Sequence, residues 1–377
     1  MTKLANFQKL IIEKEWVAWI MLTPTNVLPY ISSNIITKVE NQRQKEVTGL
    51  IESQEIIKWK KIISWTVETN TSVSKIWHKL TGMFWEAVNV DNWDWTHTHT
   101  FNIENKDVKT YSIELEDSAI SRRYTGVKFD NLSLKINDNH FTDTIDIYWT
   151  KSIEQEKIKE VDSVLKTVTL YEDVLFKPSD KVAIFNKKGI KIKSNLDVIL
   201  VNWRTIELSS VTSISADHSI ALEKRETWIS NNEINKSLLS CQTEFYINEG
   251  VNEIKVSKVI DFNETIKRNI DENEDFYLGS CYREEITSKN LIIEGSINLS
   301  ITSDQSNRLL ANYKNWDLTK YKRIIKDSIW NSYTIEASMV IENIEINKQI
   351  WDSVEVSIKY SNVKTTKIEL TDTITWY

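Results

Sequence analysis

The stretch GLIESQEIIKWKKIISWTVE, residues 49–68, meets a second copy of its own pattern in GSCYREEITSKNLIIEGSINL, residues 279–299. With Gly49 set on Gly279, Glu55 falls on Glu285, Ile56 on Ile286, Ile62 on Ile292, Ile63 on Ile293 and Val67 on Ile297. Each stretch leaves a charged half for alternation: Ile63, Trp65 and Val67 point one way, Ser64, Thr66 and Glu68 the other. A period of two is that of a strand with one dry and one wet face. The chain therefore reads as mainly β, and as doubled.

The same alternation recurs in Tyr111-Ile113-Leu115, Leu132-Leu134-Ile136, Ile145-Ile147-Trp149, Ile293-Gly295-Ile297-Leu299-Ile301 and Val354-Val356-Ile358. Helical spacing holds twice. Thr71 or Ser72 is placed to cap a helix carrying Val73, Ile76, Trp77 and Leu80, stopped by Gly82; Asp304 is placed to cap another carrying Leu309, Leu310 and Tyr313. After each helix the repeat is expected to continue: Tyr111–Leu115 against Tyr333–Ala337, Asp130–Leu134 against Glu342–Ile346, and Thr142–Ile147 against Trp351–Val356. Between the copies, VLKTVTLYEDVLFKPSDKVAIFN, DVILVNWRTIELS and ISADHSIALEK read as short strands with a turn at Pro178-Ser179-Asp180, a small β-barrel or roll. The expected map is 1–157, a first β domain; 158–224, the inserted module; and 225–377, a second β domain, each large domain carrying one short helix.

The 377 residues hold 47 Lys+Arg against 54 Asp+Glu, a net charge of −7, which argues against a basic nucleic-acid clamp. Gly 7 and Pro 3 are too few for collagen-like, disordered or glycine-loop nucleotide folds. Two cysteines, Cys241 and Cys281, make no disulfide framework and point to a reducing cytoplasm. Glu13, Lys14 and Glu15 interrupt the plan of a signal peptide, and no apolar run is long enough to span a membrane, so no membrane insertion is expected. No phosphate loop, Gly-x-Ser-x-Gly, His-Glu-x-x-His or calcium loop occurs. His97 and His99 share one side of a strand without a third ligand nearby, and the reading is structural; no enzyme, cofactor or metal is expected. The count of 15 tryptophans opens another reading, a carbohydrate-binding β-sandwich module, with Trp93, Trp95 and Trp376 as exposed stacking residues.

Four ordered stretches carry a resemblance. LPYISSN (28–34) with KVEN (38–41), TGL (48–50) with Lys60–Glu68 and the Ser72–Leu80 helix, RYTGVKFDNLSL (123–134), and Phe262-Asn263 with YLGS (277–280) and IEGSI (293–297) together resemble the major tail tube proteins of long-tailed bacteriophages, in their two-domain form. Trp65 stands where the family pattern has a glycine. The resemblance implies two tandem tail-tube-type β-sandwich or barrel domains, each with a flanking helix, and three chains per ring, because three duplicated chains supply six quasi-equivalent domains. It also implies a structural virion protein, assembled in the cytoplasm of the infected bacterium, whose rings stack into the hollow tube through which DNA is ejected. Its partners would be itself, the tape-measure protein, tail-end proteins and double-stranded DNA in transient, non-specific passage.

Two polar arms, Asn34–Lys61 and Ile266–Lys289, suit contacts between rings: Glu40, Asn41, Arg43, Trp59, Asp271, Tyr277, Leu278 and Arg283 are the candidates, with the aromatics as anchors. A wall that lets DNA slide should not hold phosphates, which makes acids on polar strand faces the candidate lining: Glu114, Glu116, Asp146, Glu336, Glu345 and Glu355. The inserted module is expected to project outward.

Overall fold

A computed structural model describes residues 9–15, 26–28, 32–43, 56–71, 73–84, 87–103, 109–116, 120–137, 140–149, 151–153, 155–171, 175–223, 243–249, 252–256, 258–270, 291–327, 331–350 and 353–372. The first strands are β1 (Lys9–Lys14), β2 (Asn26–Leu28), β3 (Ser32–Arg43) and β4 (Ile56–Asn70), followed by helix α1 (Val73–Met83). Then come β5 (Ala87–Asp91), β6 (His97–Phe101), β7 (Tyr111–Glu116), β8 (Ser121–Asn137), β9 (His140–Tyr148) and β10 (Lys151–Ile153). The middle holds β11 (Glu156–Asp162), β12 (Thr167–Leu170), β13 (Lys181–Phe185), β14 (Lys191–Asn202), β15 (Thr205–Leu208) and β16 (Ser219–Leu222). The last part holds β17 (Thr243–Glu249), β18 (Asn252–Lys255), β19 (Lys258–Lys267), β20 (Ile292–Thr302), α2 (Ser303–Asn315), β21 (Thr319–Lys326), β22 (Ser332–Ile350) and β23 (Ser353–Asp372).

These elements cluster into two units assembled from interleaved segments. One gathers 1–29, 110–127 and 149–232; the other gathers 30–109, 128–148 and 233–377. In the first, β2, β1, β7, the start of β8 and β10 pair in that order. All six residues of β7 are buried, so the alternation there marks no wet face. Buried Glu15 accepts from Thr110, Ser112 and Thr125 hydroxyls at 2.6, 2.8 and 2.6 Å and from the Gly126 N–H at 3.1 Å. Four donors on one carboxylate offset the cost of its burial. The strands β11, β12, β15, β14, β13 and β16 pair around in a closed order, β16 returning to β11. Ile158, Val168, Val182, Ile184, Ile206 and Ile220 fill the core they share.

The second unit corrects the expectation of tandem sandwiches or barrels. Its main sheet is continuous and open, in the order β3-β4-β9-β8-β19-β20-β23-β22-β21-β17-β18. Among the described residues no pairing joins β3 to β18, so the sheet does not close. Among the described residues it is mainly β with two helices, and what layers it is bending. Strands β22 and β23, 19 and 20 residues long, pair with register shifts at Glu336/Ala337, Ser338/Met339 and Ile341/Asn343, and each extra residue kinks the ribbon. The far arm thereby returns over β19: Arg323 of β21 lies 4.4 Å from the Phe262 ring, and the Tyr321 hydroxyl lies 3.5 Å from the Glu264 carboxylate.

Apart from the β5–β6 hairpin that follows α1, the duplication is clear in topology where it is loose in sequence. The first copy pairs as β2-β1-β7-β8-β9-β4-β3 and the second as β18-β17-β21-β22-β23-β20-β19, position for position. Val67 opposes Ile145, which opposes Leu132; Ile297 opposes Ile358, which opposes Ile344. Two of the expected matches are corrected by this. Ile145 corresponds to Ile358 rather than Val354, and Tyr111–Leu115 corresponds to part of β21, since Tyr333–Ala337 lies in β22. Trp65 and Gly295 are equivalents that swap bulk with their partners. Trp65 opposes Ile147, while Gly295 opposes Tyr360, and a Cβ on Gly295 would lie 2.8 Å from the Tyr360 hydroxyl oxygen.

The helices sit at the same place in each copy. Thr302, not Asp304, caps α2: its hydroxyl accepts from the Gln305 N–H at 3.3 Å and its own N–H donates to the Gln305 side chain at 3.1 Å, a reciprocal capping box. Gly82 does not stop α1, which runs to Met83; it lets the helix approach β8, since a Cβ there would lie 1.9 Å from a ring carbon of Phe129.

At the β17 edge, Glu244 accepts from Lys255 at 2.7 Å and Lys326 at 3.0 Å, and these bonds hold its carboxyl down at about 2 against an ordinary 4.5. A depressed folded pKa means stability fully present above about pH 4.5 and lost as pH falls toward 2. The pair is partly solvated, so its worth is at most about 1 kcal/mol. Glu244→Gln should lower the melting temperature slightly at pH 6 and not at all near pH 2; an equal loss at both would contradict the assignment.

Candidate assembly interface

The main sheet of the second unit presents two chemically opposite faces. Across six strands, Glu68, Thr144, Ser133, Thr265, Glu294 and Ser361 oppose one another in a single transverse row. All six are half-buried. One residue over, Val67, Ile145, Leu132, Ile266 and Ile293 are buried. Registered strands keep one parity across the sheet, so a single slip would turn this face inside out.

The polar face is rich in hydroxyls and amides, and several of its charges are compensated within it. Asp146 accepts from the Thr66 hydroxyl at 2.6 Å and from the Asn131 amide at 3.0 Å; Lys135 lies 3.8 Å from Glu68; Lys267 pairs with Glu294. Of the acids singled out from sequence, Asp146, Glu345 and Glu355 belong to this face, Glu345 and Ser357 opposing each other beside Asn298. Glu336 is half-buried, 3.5 Å from Lys322. Glu114 and Glu116 are buried and face protein: Glu114 accepts from Arg123 at 3.1 Å, whose other two nitrogens donate to Asp180 at 2.8 and 3.0 Å.

The arm residues Glu40, Asn41 and Arg43 lie on β3, opposite Lys60, Lys58 and Ile56, and Trp59 is the extra residue at the register shift between them. Strand β9 covers β4 only from Ser64 to Asn70, so over 56–63 the described partner is β3 alone, a two-stranded ribbon. Asp271, Tyr277, Leu278 and Arg283 lie outside the described residues. Trp93 and Trp95 are 95% and 90% exposed at the β5–β6 turn; Trp376 is outside the described residues. His99 is buried between Asn89 at 2.6 Å and Asp372 at 3.3 Å, and among the described residues no cluster of three metal-ligating side chains occurs. No described helix is long and apolar enough to cross a membrane.

Sequence reading missed how the copies meet. Strand β19 pairs with β8 over Asn263–Lys267 against Lys135–Asn131, with Ser133 and Thr265 hydroxyls 3.0 Å apart. Beneath it Glu264 and Arg323, both wholly buried, form an ion pair at 2.8 Å. Burial opposes the guanidinium's charge, and the Glu264 carboxylate together with Tyr333, Tyr360 and Tyr321 more than offsets it, raising its pKa. Tyr360 donates to Glu264 at 3.0 Å, and burial, reinforced by that carboxylate, keeps its hydroxyl protonated. A signal existed: Glu264 shares parity with Phe262 and Ile266, both buried.

The outer edges differ from this joint. Among the described residues, β3 pairs only with β4, and β22 is covered on one side by β21 over Ser332–Met339 but not beyond. Ile346 there is 52% exposed, whereas its equivalent Leu134, under β19, is fully buried. No protein-family model matches the chain, and no curated protein matches it.

Proposed function

We propose that this chain is a structural subunit of a phage tail tube, self-assembling as rings of three that stack into a hollow conduit for DNA. The observation that carries the reading is the doubled pairing order with β8 already joined to β19 inside the chain: two equivalent copies side by side in one open sheet, whose outer edges, β3 and β22 beyond Met339, have no further strand partner among the described residues. An unpaired edge recruits another strand, and a head-to-tail contact between unlike edges closes into a ring when the rotation allows. The continuous polar face suits a lumen, two of its lysines, Lys135 and Lys267, lying beside acids rather than being offered to phosphates. The ordered motifs that resemble tail tube proteins supply the biological setting: virion tail, tape-measure and tail-end partners, assembly in the infected cytoplasm.

Negative-stain microscopy of the purified full-length chain tests this. Rods with a central channel are expected; a monomer that never polymerises, even with the other tail components, would overturn the reading. Saturable oligosaccharide binding that quenches tryptophan fluorescence, lost in Trp93→Ala, would favour the sugar-binding alternative instead.

A further inference from the structure

The internal joint specifies the external one. The equivalent strands of the two copies meet as β8 with β19, while β6 also pairs with β23, and among the described residues the counterparts of the first joint's halves have no partner on the corresponding side: β22 beyond Met339, equivalent to β8, and β3, equivalent to β19. Register fixes the correspondence. Ser33 opposes Val67 as Phe262 opposes Ile297, so Asn34, Ile35, Ile36, Thr37 and Lys38 stand for Asn263, Glu264, Thr265, Ile266 and Lys267. Leu132 opposes Ile145 as Ile344 opposes Ile358, so Asn343–Asn347 stands for Asn131–Lys135.

Resting on the tube reading, we infer that β3 of one chain pairs antiparallel with β22 of a second copy, Asn34–Lys38 against Asn347–Asn343, with Ile36 opposite Glu345. Two independent observations support this partner over another. The stretch of β22 left bare by β21 is the stretch whose equivalent in β8 is taken by β19. And the apolar residues on it are uncovered where their equivalents are buried: Ile344 is half-buried and Ile346 exposed, while Leu132 and Leu134 are both fully buried. Satisfying the edge and covering these isoleucines are the same event. Swapping Glu264 for Ile35 at the equivalent place changes the joint's chemistry: the internal joint carries a carboxylate beside Leu134, the external one sets Ile35 opposite Ile346. An apolar joint needs no buried counterion brought by the partner.

The test uses the full chain with Cys241→Ser and Cys281→Ser, carrying Ile36→Cys and Glu345→Cys together. Under mild oxidation, covalent dimers and trimers should form at least tenfold faster than in the Ile35→Cys/Glu345→Cys control, whose thiols fall on opposite faces. Ile346→Lys, at an exposed position, should keep the melting temperature of the monomer and stop assembly. Tubes that form without the predicted cross-link, or that survive Ile346→Lys, would overturn this register while leaving the tube reading standing. Absence of any oligomer in the unsubstituted chain would overturn both.

Discussion

Replacing Glu264 with alanine is expected to destabilise the second unit by about 3–5 kcal/mol, because it leaves the Arg323 charge buried with no carboxylate. Arg323 has no route to water: it is 0% exposed, held over the Phe262 ring at 4.4 Å and the Tyr333 ring at 5.4 Å. The Tyr360 hydroxyl also loses its acceptor at 3.0 Å. If lost charge pairing is the cause, adding Arg323→Met to Glu264→Ala removes the orphan and recovers most of the stability, since a buried ion pair gains little over an apolar replacement of similar size. Urea unfolding of the single and double variants reads this directly. A loss below about 1 kcal/mol in the single variant, or a double variant as unstable as the single, would show that the pair is not the constraint it looks to be.

Asp143→Ala should cost a comparable amount in the first copy, about 3–5 kcal/mol, by stranding Lys79. Asp143 on β9 accepts from Thr69 at 2.9 Å, from Thr71 at 2.8 Å and from Lys79 of α1, all of them buried. One carboxylate thus ties the end of β4, the entry to α1 and the helix itself to the sheet. Lys79→Met should cost less, because the aspartate keeps two hydroxyl donors. Thermal unfolding followed by tryptophan fluorescence gives the order; Lys79→Met proving the worse variant would contradict this arrangement of partners.

These two sites show what a sequence of this kind discloses. Strand parity was legible from alternation alone, as Trp65, Val67, Ile297 and Leu299 illustrate by being buried. The match of Ile62–Val67 to Ile292–Ile297 was legible because a charged stretch beside each breaks the symmetry of the alternating one; 49–55 and 279–290 lie outside the described residues. Alternation by itself is degenerate: any even shift of two amphipathic strands looks equally good, and so Thr142–Ile147 was matched to the wrong part of the last strand and Tyr111–Leu115 to the wrong strand altogether. Only backbone pairing decides, and pairing is a long-range property. The single open sheet was hidden for the same reason, since bulges at Glu336/Ala337 and Ile341/Asn343 leave no residue signature. The buried charges are a different failure. Glu264 and Asp143 sit at dry-face parity, but acids are so common in this chain that only the partners, Arg323 and Lys79, distinguish them from surface glutamates and aspartates.

The account rests on two equivalent copies per chain arranging themselves around an axis, and the symmetry of end-on views tests that most directly. Averaged electron micrographs of the assembled rings should show threefold symmetry with six similar lobes, three chains of 44.1 kDa to a ring. Rings containing any other number of chains, or lobes that alternate between unrelated shapes, would contradict it.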